Sequence, residues 1–203
     1  MYIPEDFNVK DLKRIICFIN DNNFGLLLSI HDNEIYNTQI PFLISYENNN
    51  VILKGHMARK NKQWIYAKNN NVTVLFLGPH HYISPLYYHD KESVPTWDYI
   101  TARVDGVMKM LNKEEMEAFL LELSKHFDEK WFNEENYKKE YYKKMENEIV
   151  GFKIMIKNIK AKFKLGQNRG IDDMKSVSMN LSKLNTENSI SISKYINDIL
   201  NSE

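Results

Sequence analysis

Apolar residues recur along the chain at two spacings, which predict both helices and strands. A spacing of three to four residues, the period of an amphipathic helix, occurs at residues 9–22, 64–67, 112–127, 136–148, 171–184 and 189–201. Alternation, or a short apolar run bounded by turn residues, occurs at residues 24–30, 35–46, 51–57, 72–77, 100–110 and 149–163. Because strands and helices do not alternate regularly, a parallel sheet is disfavoured. We therefore predict an α+β fold, an antiparallel β-barrel with peripheral helices.

Irregular positions in three of these strands predict where the barrel bends and where strands end. Pro41 lacks an amide donor, which predicts a sheet edge or a bulge at that point. In the last strand the apolar positions change from even to odd numbers near Asn158, which predicts a β-bulge. Gly78 and Pro79 are expected to end the strand that precedes them. The segment 80–89, rich in histidine and tyrosine, then lies outside regular structure and forms either the wall of a ligand cleft or a loop held by buried tyrosines.

Composition and charge narrow the possible classes of protein. The chain has 203 residues, enough for one domain with an appendage, and its 27 basic residues equal its 27 acidic residues in number. A net charge of zero disfavours a protein that binds nucleic acid over its whole surface. Cys17 is the single cysteine, so an intramolecular disulfide and a zinc site built from thiolates are excluded. We expect a cytoplasmic protein with no metal site, no signal peptide and no membrane span.

Cationic side chains follow the predicted strand 51–57 and suggest a phosphate site. Arg59 offers a planar fork that can hold two phosphate oxygens, and Lys60 adds a compact second charge. A helix starting near Asn61 would direct free backbone amides at the same anion. The alternative is a solvated surface turn whose cations pair with nothing.

Basic and amide residues also follow the last strand, from Lys160 to Arg169, without an acidic residue among them. Beyond this second cluster, the patterns at 171–184 and 189–201 predict a helical extension. We therefore predict a domain at 1–169 and a C-terminal helical extension at 170–203. Trp97 is a candidate for stacking on an aromatic ligand, with core packing as the alternative.

Six blocks, in order and with consistent spacing, resemble the PaiB family of bacterial proteins. They are Met-Tyr-Ile-Pro at 1–4, GHMARKNKQW at 55–64, GPHHYISP at 78–85, VPTWDY at 94–99, Gly-Phe at 151–152 and KFKLGQNR at 162–169. The family is described as negative transcriptional regulators built on the FMN-binding split barrel of pyridoxamine-phosphate oxidases. The resemblance therefore implies an antiparallel split barrel, FMN as the cofactor, and a homodimer with FMN at the subunit interface.

The resemblance also implies which residues contact the cofactor. Arg59 and Lys60 match the pair that holds the FMN phosphate, and residues 38–41 and 54–57 match strands beneath the isoalloxazine ring. Together with Trp97 and the C-terminal block, the candidate cofactor-binding residues are Thr38, Gln39, His56, Met57, Arg59, Lys60, Trp97, Thr101, Gln167 and Arg169. The chain departs from the family pattern where Gln39, Lys62, Asp98 and Gly166 replace the more frequent His, Pro, Asn and Ser.

Three functions are compatible with these residues. The first, implied by the resemblance, is an FMN-binding negative transcriptional regulator, although no helix-turn-helix is visible and net charge does not support DNA binding. The second is a flavin-dependent oxidoreductase that uses FMN and NAD(P)H on a small molecule, in which the cofactor carries the chemistry and no acid-base motif is needed. The third is an interaction module whose flavin site has degenerated. No catalytic residue is assigned.

Overall fold

The computed structural model describes residues 1–90, 92–130 and 139–201. It contains eight strands: β1 (Asn8–Val9), β2 (Phe24–His31), β3 (Glu34–Pro41), β4 (Leu43–Glu47), β5 (Asn50–Ala58), β6 (Asn71–Ile83), β7 (Thr96–Met110) and β8 (Ile149–Lys164). The helices within the described ranges are α1 (Leu12–Asp21), α2 (Gln63–Ala67), α3 (Lys113–Phe127), α4 (Glu140–Glu146), α5 (Ile171–Leu184) and α6 (Glu187–Leu200). Part of the predicted helix 136–148 lies outside the described residues, and α4 is the part within them.

The strands form one sheet in the order β3-β2-β6-β7-β8-β5-β4, with β1 paired to β8. The pairings of β2 with β3 and β6, and of β5 with β4 and β8, are antiparallel. The sheet begins at β3 and ends at β4, and only Phe42 separates these two strands in the chain. The path of hydrogen bonds does not close. The helices together with this open antiparallel sheet confirm the predicted α+β class and antiparallel split barrel. Pro41 lies at the end of the edge strand β3, where a missing amide donor is tolerated.

The chain divides into two compact units, and β6, β7 and β8 each contribute to both. The first unit comprises residues 1–18, 77–102 and 160–203, and the second comprises residues 19–76 and 103–159. In the first unit α5 and α6 form a helical hairpin with a core of Leu181, Ile192 and Ile196. The buried hydroxyls of Ser178 and Ser193 are hydrogen-bonded to each other, and the Ser193 hydroxyl also lies within bonding distance of the backbone carbonyl of Ser178, which joins the two helices. The boundary between residues 169 and 170 stays a prediction.

Two tight hairpins organise the second unit. Asp32 and Asn33 connect β2 to β3, and Asn48 and Asn49 connect β4 to β5, all four with positive φ. Asn and Asp tolerate this conformation and are typical of two-residue hairpin turns. Helix α3 packs over the sheet and begins with a capping box between Asn112 and Glu115, as the spacing of these two residues indicates.

The prediction that Gly78 and Pro79 end a strand is wrong, because β6 continues through both residues to Ile83. The register of β6 with β2 ends at Leu75, so the missing amide of Pro79 lies beyond that pairing. A Cβ atom at position 78 would collide with the ring of Phe18, so a residue larger than glycine does not fit at this point of the strand. Trp97 lies in β7.

The predicted change of phase in β8 is visible in its burial. The even-numbered residues Phe152 and Ile154 are buried in the first half of the strand, and the odd-numbered residues Ala161 and Phe163 are buried near its end. The stretch between them, from Met155 to Lys160, contains no buried residue. The large apolar residues of the two halves therefore occupy positions of opposite parity, although Gly151 and Lys162 are buried as well.

Candidate functional site

The guanidinium of Arg59 is held by backbone carbonyls where the chain enters β8. Its Nε donates to the carbonyl oxygen of Asn147 at 2.6 Å, and its Nη2 donates to that of Ile149 at 2.8 Å. The backbone amide of Arg59 donates to Glu148 at 2.7 Å. This arrangement follows from the register, because Ala58 at the end of β5 pairs with Ile149 at the start of β8. Nη1 forms no hydrogen bond to a described residue and remains available to an anion.

Arg59 lines a groove of about 590 Å³ in the second unit. This volume lies within the range of small-molecule sites. The charged residues around the groove are Arg59, Lys68, Lys113, Lys143, Glu117 and Glu146. Burial, followed by the nearby carboxylate of Glu117, raises the pKa of Glu146, while Lys113 opposes the shift. The groove is therefore predominantly cationic but contains a pair of carboxylates that repel each other.

The helix predicted to start near Asn61 begins at Gln63 and is a single short turn. The amide of Gln63 is already bonded to the side-chain oxygen of Asn61 at 3.0 Å. Lys60 is exposed, and its side chain forms no ion pair with a described residue. Any anion at this loop would therefore depend on the side chains of Arg59 and Lys60 and could not rely on a helix N-terminus.

A buried polar network joins this loop to β3. Gln63 is 1% exposed, and its Nε2 donates to the carbonyl of Tyr36 at 3.0 Å and to the hydroxyl of Ser29 at 3.1 Å. Its Oε1 accepts from the hydroxyl of Thr38 at 2.5 Å, and the amide of Asn61 donates to the same hydroxyl at 2.8 Å. The structure thus brings Thr38 next to the loop that carries Arg59 and Lys60. Sequence analysis missed Gln63, because an isolated glutamine carries no pattern that marks it as buried.

The other predicted site residues of the second unit lie in different environments. Gln39 is exposed on β3, and Met57 is buried in the core. The ring of His56 packs beside Phe119 of α3, with centroids 6.0 Å apart. Its Nδ1 is buried without a hydrogen-bond partner among the described residues, and burial lowers the pKa of His56. His56 is therefore a neutral ring between sheet and helix in this structure.

Gln167 and Arg169, in the first unit, are engaged by their own unit. Gln167 accepts from the amide of Leu165 and donates to the carbonyl of Phe163. Arg169 donates to Ser93 at 2.9 Å and to Asp173 at 3.3 Å, and its guanidinium lies 4.0 Å from the centroid of Tyr88. Trp97 is exposed and Thr101 is buried, both on β7.

The lysines of the second basic cluster are also largely occupied. The ammonium of Lys162 is buried among the rings of Tyr2, Phe7 and Tyr99, at 5.1 to 6.0 Å from their centroids. Cation–π attraction offsets part of the cost of removing this charge from water. Lys164 donates to Thr96, to the carbonyl of Trp97 at 2.6 Å and to Asp98. These two lysines therefore stabilise the first unit and are not free for nucleic acid.

Asp98, a departure from the family pattern, is a buried carboxylate. It is 3% exposed, and burial raises its pKa to about 6 against the opposing effects of Lys164 and Arg169. Its Oδ1 lies 3.4 Å from the ammonium of Lys164, which is too long for a strong charge-assisted hydrogen bond. The carboxylate is therefore incompletely compensated, a property that its sequence neighbours do not reveal.

Comparison with known proteins adds information that the geometry alone does not supply. A family profile described as "Putative FMN-binding domain" matches residues 1–158. The chain is 32% identical to "Protease synthase and sporulation protein PAI 2" of Bacillus subtilis (strain 168), over 98% of both chains. It is 26% identical to an uncharacterised protein of Emericella nidulans, covering 83% of this chain and 85% of the relative.

Solved structures show the same fold at low identity. The FAD and heme binding protein from Mycobacterium smegmatis has a TM-score of 0.61 at 12% identity, covering 82% of this chain and 78% of that one. The flavocytochrome Anf3 from Azotobacter vinelandii has a TM-score of 0.59 at 8% identity, covering 77% and 69%. Within the described residues, no helix is long and apolar enough to cross a membrane.

Proposed function

Because the chain belongs to the PaiB-type family of FMN-binding domain proteins, we propose that it acts as an FMN-dependent negative regulator of transcription. The observation that carries the regulatory role is the 32% identity to the Bacillus subtilis PAI 2 protein over 98% of both chains. The profile match across residues 1–158, which includes the Arg59–Lys60 loop and strand β3, supports FMN binding. The name of the Bacillus subtilis relative refers to protease synthesis and sporulation. Both are processes that a regulator of gene expression could control.

The residues present fit the phosphate end of FMN. Arg59 lies at the edge of a cationic groove with an Nη1 that no described residue occupies, and Lys60 adds a second exposed charge beside it. Guanidinium and ammonium groups are suited to phosphate recognition. The hydrogen bonds from Arg59 to the backbone carbonyls of Asn147 and Ile149 restrict the rotation of its side chain. When bound, FMN supplies reversible hydride and electron transfer, while the protein binds and orients it.

We assign the phosphate to Arg59 and Lys60 and the polar part of the flavin to the side chain of Gln39 and the backbone of β3 at Thr38, because the Thr38 hydroxyl is already bonded to Gln63 and Asn61. The side chain of Met57 lies in the core, and the ring of His56 packs beside Phe119. Both residues would therefore contact FMN through the backbone of β5. The assignments of Trp97, Thr101, Gln167 and Arg169 to the cofactor rest on the resemblance and stay predictions.

Replacing Arg59 with lysine or alanine is expected to weaken FMN binding by about 10- to 100-fold, the loss of one charged hydrogen-bonding group. Riboflavin lacks the phosphate, so its weaker affinity should be nearly the same in both variants and in the parent. Isothermal titration calorimetry with both ligands measures the difference. Lys62→Ala, an exposed lysine two residues beyond Lys60, is the matched control. Equal losses for FMN and riboflavin would place the phosphate elsewhere.

An apolar face of the second unit supports the homodimer. Phe24, Ile30 and Ile35 are 59%, 70% and 69% exposed, and Ile30 pairs directly with Ile35 across β2 and β3. The half-buried Leu26 and Leu75 form a cross-strand pair on the same sheet. The exposed face is thus apolar along β2 and is bordered on β3 by the polar Gln39 and Asn37, and an exposed apolar strip with a polar rim is typical of a protein–protein interface. We assign it to a second copy of the chain.

Ile30→Asp is expected to convert the dimer into a monomer, because it places a charge among apolar residues that would be desolvated at the interface. Light scattering after size-exclusion chromatography gives the mass. Ile65→Asp is the matched control, since Ile65 is also exposed, at 53%, but lies on α2. A dimer that persists in Ile30→Asp would show that this face is not the interface.

The regulatory role and the oxidoreductase alternative can be separated experimentally. The regulator predicts salt-dependent binding to promoter DNA or to a DNA-binding partner, because phosphate contacts release counterions. Lys160 is the exposed lysine of the second cluster to reverse in charge, since Lys162 and Lys164 are occupied. Rapid reduction of bound FMN by NAD(P)H with turnover of an acceptor would instead establish the enzyme. A cytoplasmic location stays a proposal, supported by the presence of a single cysteine.

A further inference from the structure

The first unit has an aromatic cavity of about 470 Å³ on its surface. It is formed where β6 and β7 run side by side, with the start of α6 as a third wall. His80 and Tyr82 line it from β6, and Trp97 lines it from β7. Since residues two apart on a strand share a face, His80 and Tyr82 present their rings on the same side.

The rings are arranged around Trp97 without covering it. The centroids of His80 and Tyr82 are each 6.1 Å from that of Trp97, at interplanar angles of 37° and 69°. Neither ring is stacked flat on the indole, and Trp97 remains 54% exposed and Tyr82 43% exposed. Exposed aromatic surfaces gathered in one cavity are typical of a ligand-binding groove. A flat or cationic group can therefore bind against the exposed face of the Trp97 indole.

Charge in the cavity selects the kind of ligand. Glu187 lines the wall, and no lysine or arginine does so among the described residues. The helix start beside it is not an open anion site, because Thr186 and Ser189 already form a capping box. Aromatic faces attract cations, most strongly those of tryptophan, and a carboxylate at the rim adds to this attraction.

We propose that this cavity binds a small organic cation, a protonated arylalkylamine, with its ring against Trp97 and its ammonium group near Glu187. Aromatic stacking and cation–π attraction would act together with the carboxylate. The site lies wholly in the first unit and needs none of the groups assigned to the FMN phosphate. It would thus take an effector or a substrate whose binding can be measured independently of the flavin.

The test compares three probes of similar shape and different charge on the full-length, FMN-loaded protein. Phenethylamine is cationic, 2-phenylethanol is neutral and 3-phenylpropionate is anionic. Ligand-observed NMR and calorimetry should rank their affinities in that order. Trp97→Ala is expected to weaken phenethylamine binding about tenfold or more, on the scale of a lost aromatic and cation–π contact. Tyr46→Ala, an aromatic residue 67% exposed on β4, should have no effect.

The charge contribution has its own variant and control. Glu187→Gln should bring the affinity for phenethylamine close to that for 2-phenylethanol and leave the latter unchanged. Glu114→Gln, also in the first turn of a helix, should alter neither. Equal affinities for the three probes, or phenethylamine binding that survives Trp97→Ala, would overturn the proposal. Trp97 is also a predicted contact of FMN, so FMN affinity is measured in the same Trp97→Ala variant. Loss of phenethylamine binding with unchanged FMN affinity would assign Trp97 to this cavity, whereas loss of both would place Trp97 in the flavin site and overturn the proposal.

Discussion

Replacing Gln63 with alanine is expected to lower the free energy of unfolding by about 4 kcal/mol, more than any other single change considered for the second unit. The amide is 1% exposed and bonds to Thr38, Ser29 and Tyr36. Alanine would leave these buried polar groups unpaired and would open a cavity. Urea denaturation followed by circular dichroism measures the loss.

Two further variants identify the cause. Gln63→Glu keeps the volume but replaces the donating amide with a carboxylate, which faces the carbonyl of Tyr36 and repels it. It should therefore be strongly destabilising at neutral pH and less so in acid, where the carboxyl is protonated. Asn37→Ala, an exposed amide on β3, is the control and should change stability by less than about 0.5 kcal/mol. Similar free energies of unfolding for Gln63→Ala and Asn37→Ala would show that the buried hydrogen-bond network does not stabilise the fold.

The second large effect is a pH-dependent gain in stability on replacing Asp98 with asparagine. Burial raises the pKa of Asp98 to about 6 from a reference value of 3.8. Below the reference value the carboxyl is neutral in both the folded and unfolded states, so it costs nothing. Between the two values the unfolded state loses its proton first, and the folded state is progressively destabilised as pH rises. Above about 6 the cost is complete, at about 3 kcal/mol.

The expected result is that the stability advantage of Asp98→Asn grows by about 2.5 kcal/mol from pH 4 to pH 7.5, since a small part of the cost is already present at pH 4. Urea unfolding of the parent protein and of Asp98→Asn at several pH values measures how the difference between their free energies of unfolding changes with pH. Asp105→Asn is the control with the opposite sign. Burial raises the pKa of Asp105, but hydrogen bonds from Thr73 and Arg103 outweigh it and hold the pKa low. An advantage for Asp98→Asn that does not change with pH would show that Asp98 ionises freely in the folded protein.

The pattern of apolar residues predicts local elements well where local signals dominate. The segment 171–184 is helical over the predicted range, and the capping box of Asn112 and Glu115 defines the start of α3. The antiparallel sheet also follows from the chain, because short strands joined by Asp-Asn and Asn-Asn turns can only pair as hairpins. The failure at Gly78 and Pro79 has a clear cause. Both residues usually end strands. Here the ring of Phe18 occupies the space that a side chain at position 78 would need, and the missing amide of Pro79 costs no hydrogen bond to β2 because that pairing ends at Leu75.

The candidate site illustrates the same division between local and long-range effects. Arg59 and Lys60 can be identified from residue type and from their position after a strand, since their chemistry requires only adjacency in the chain. That the fork of Arg59 is held by the carbonyls of residues 147 and 149 could not be predicted, because these residues are about ninety positions away in the chain. The family resemblance identified FMN, which periodicity and spacing do not specify.

By itself, the amino-acid sequence determined the α+β class, most helix and strand positions, the cationic loop and the family. Only the tertiary structure decided the environment of each charged or polar group. Gln63 is buried and hydrogen-bonded to β3, the ammonium of Lys162 lies among aromatic rings, and burial raises the pKa of Asp98. The physical reason is range. Secondary structure depends on neighbours within a few residues, whereas burial, hydrogen bonding and pKa depend on groups that are brought together only when the chain folds.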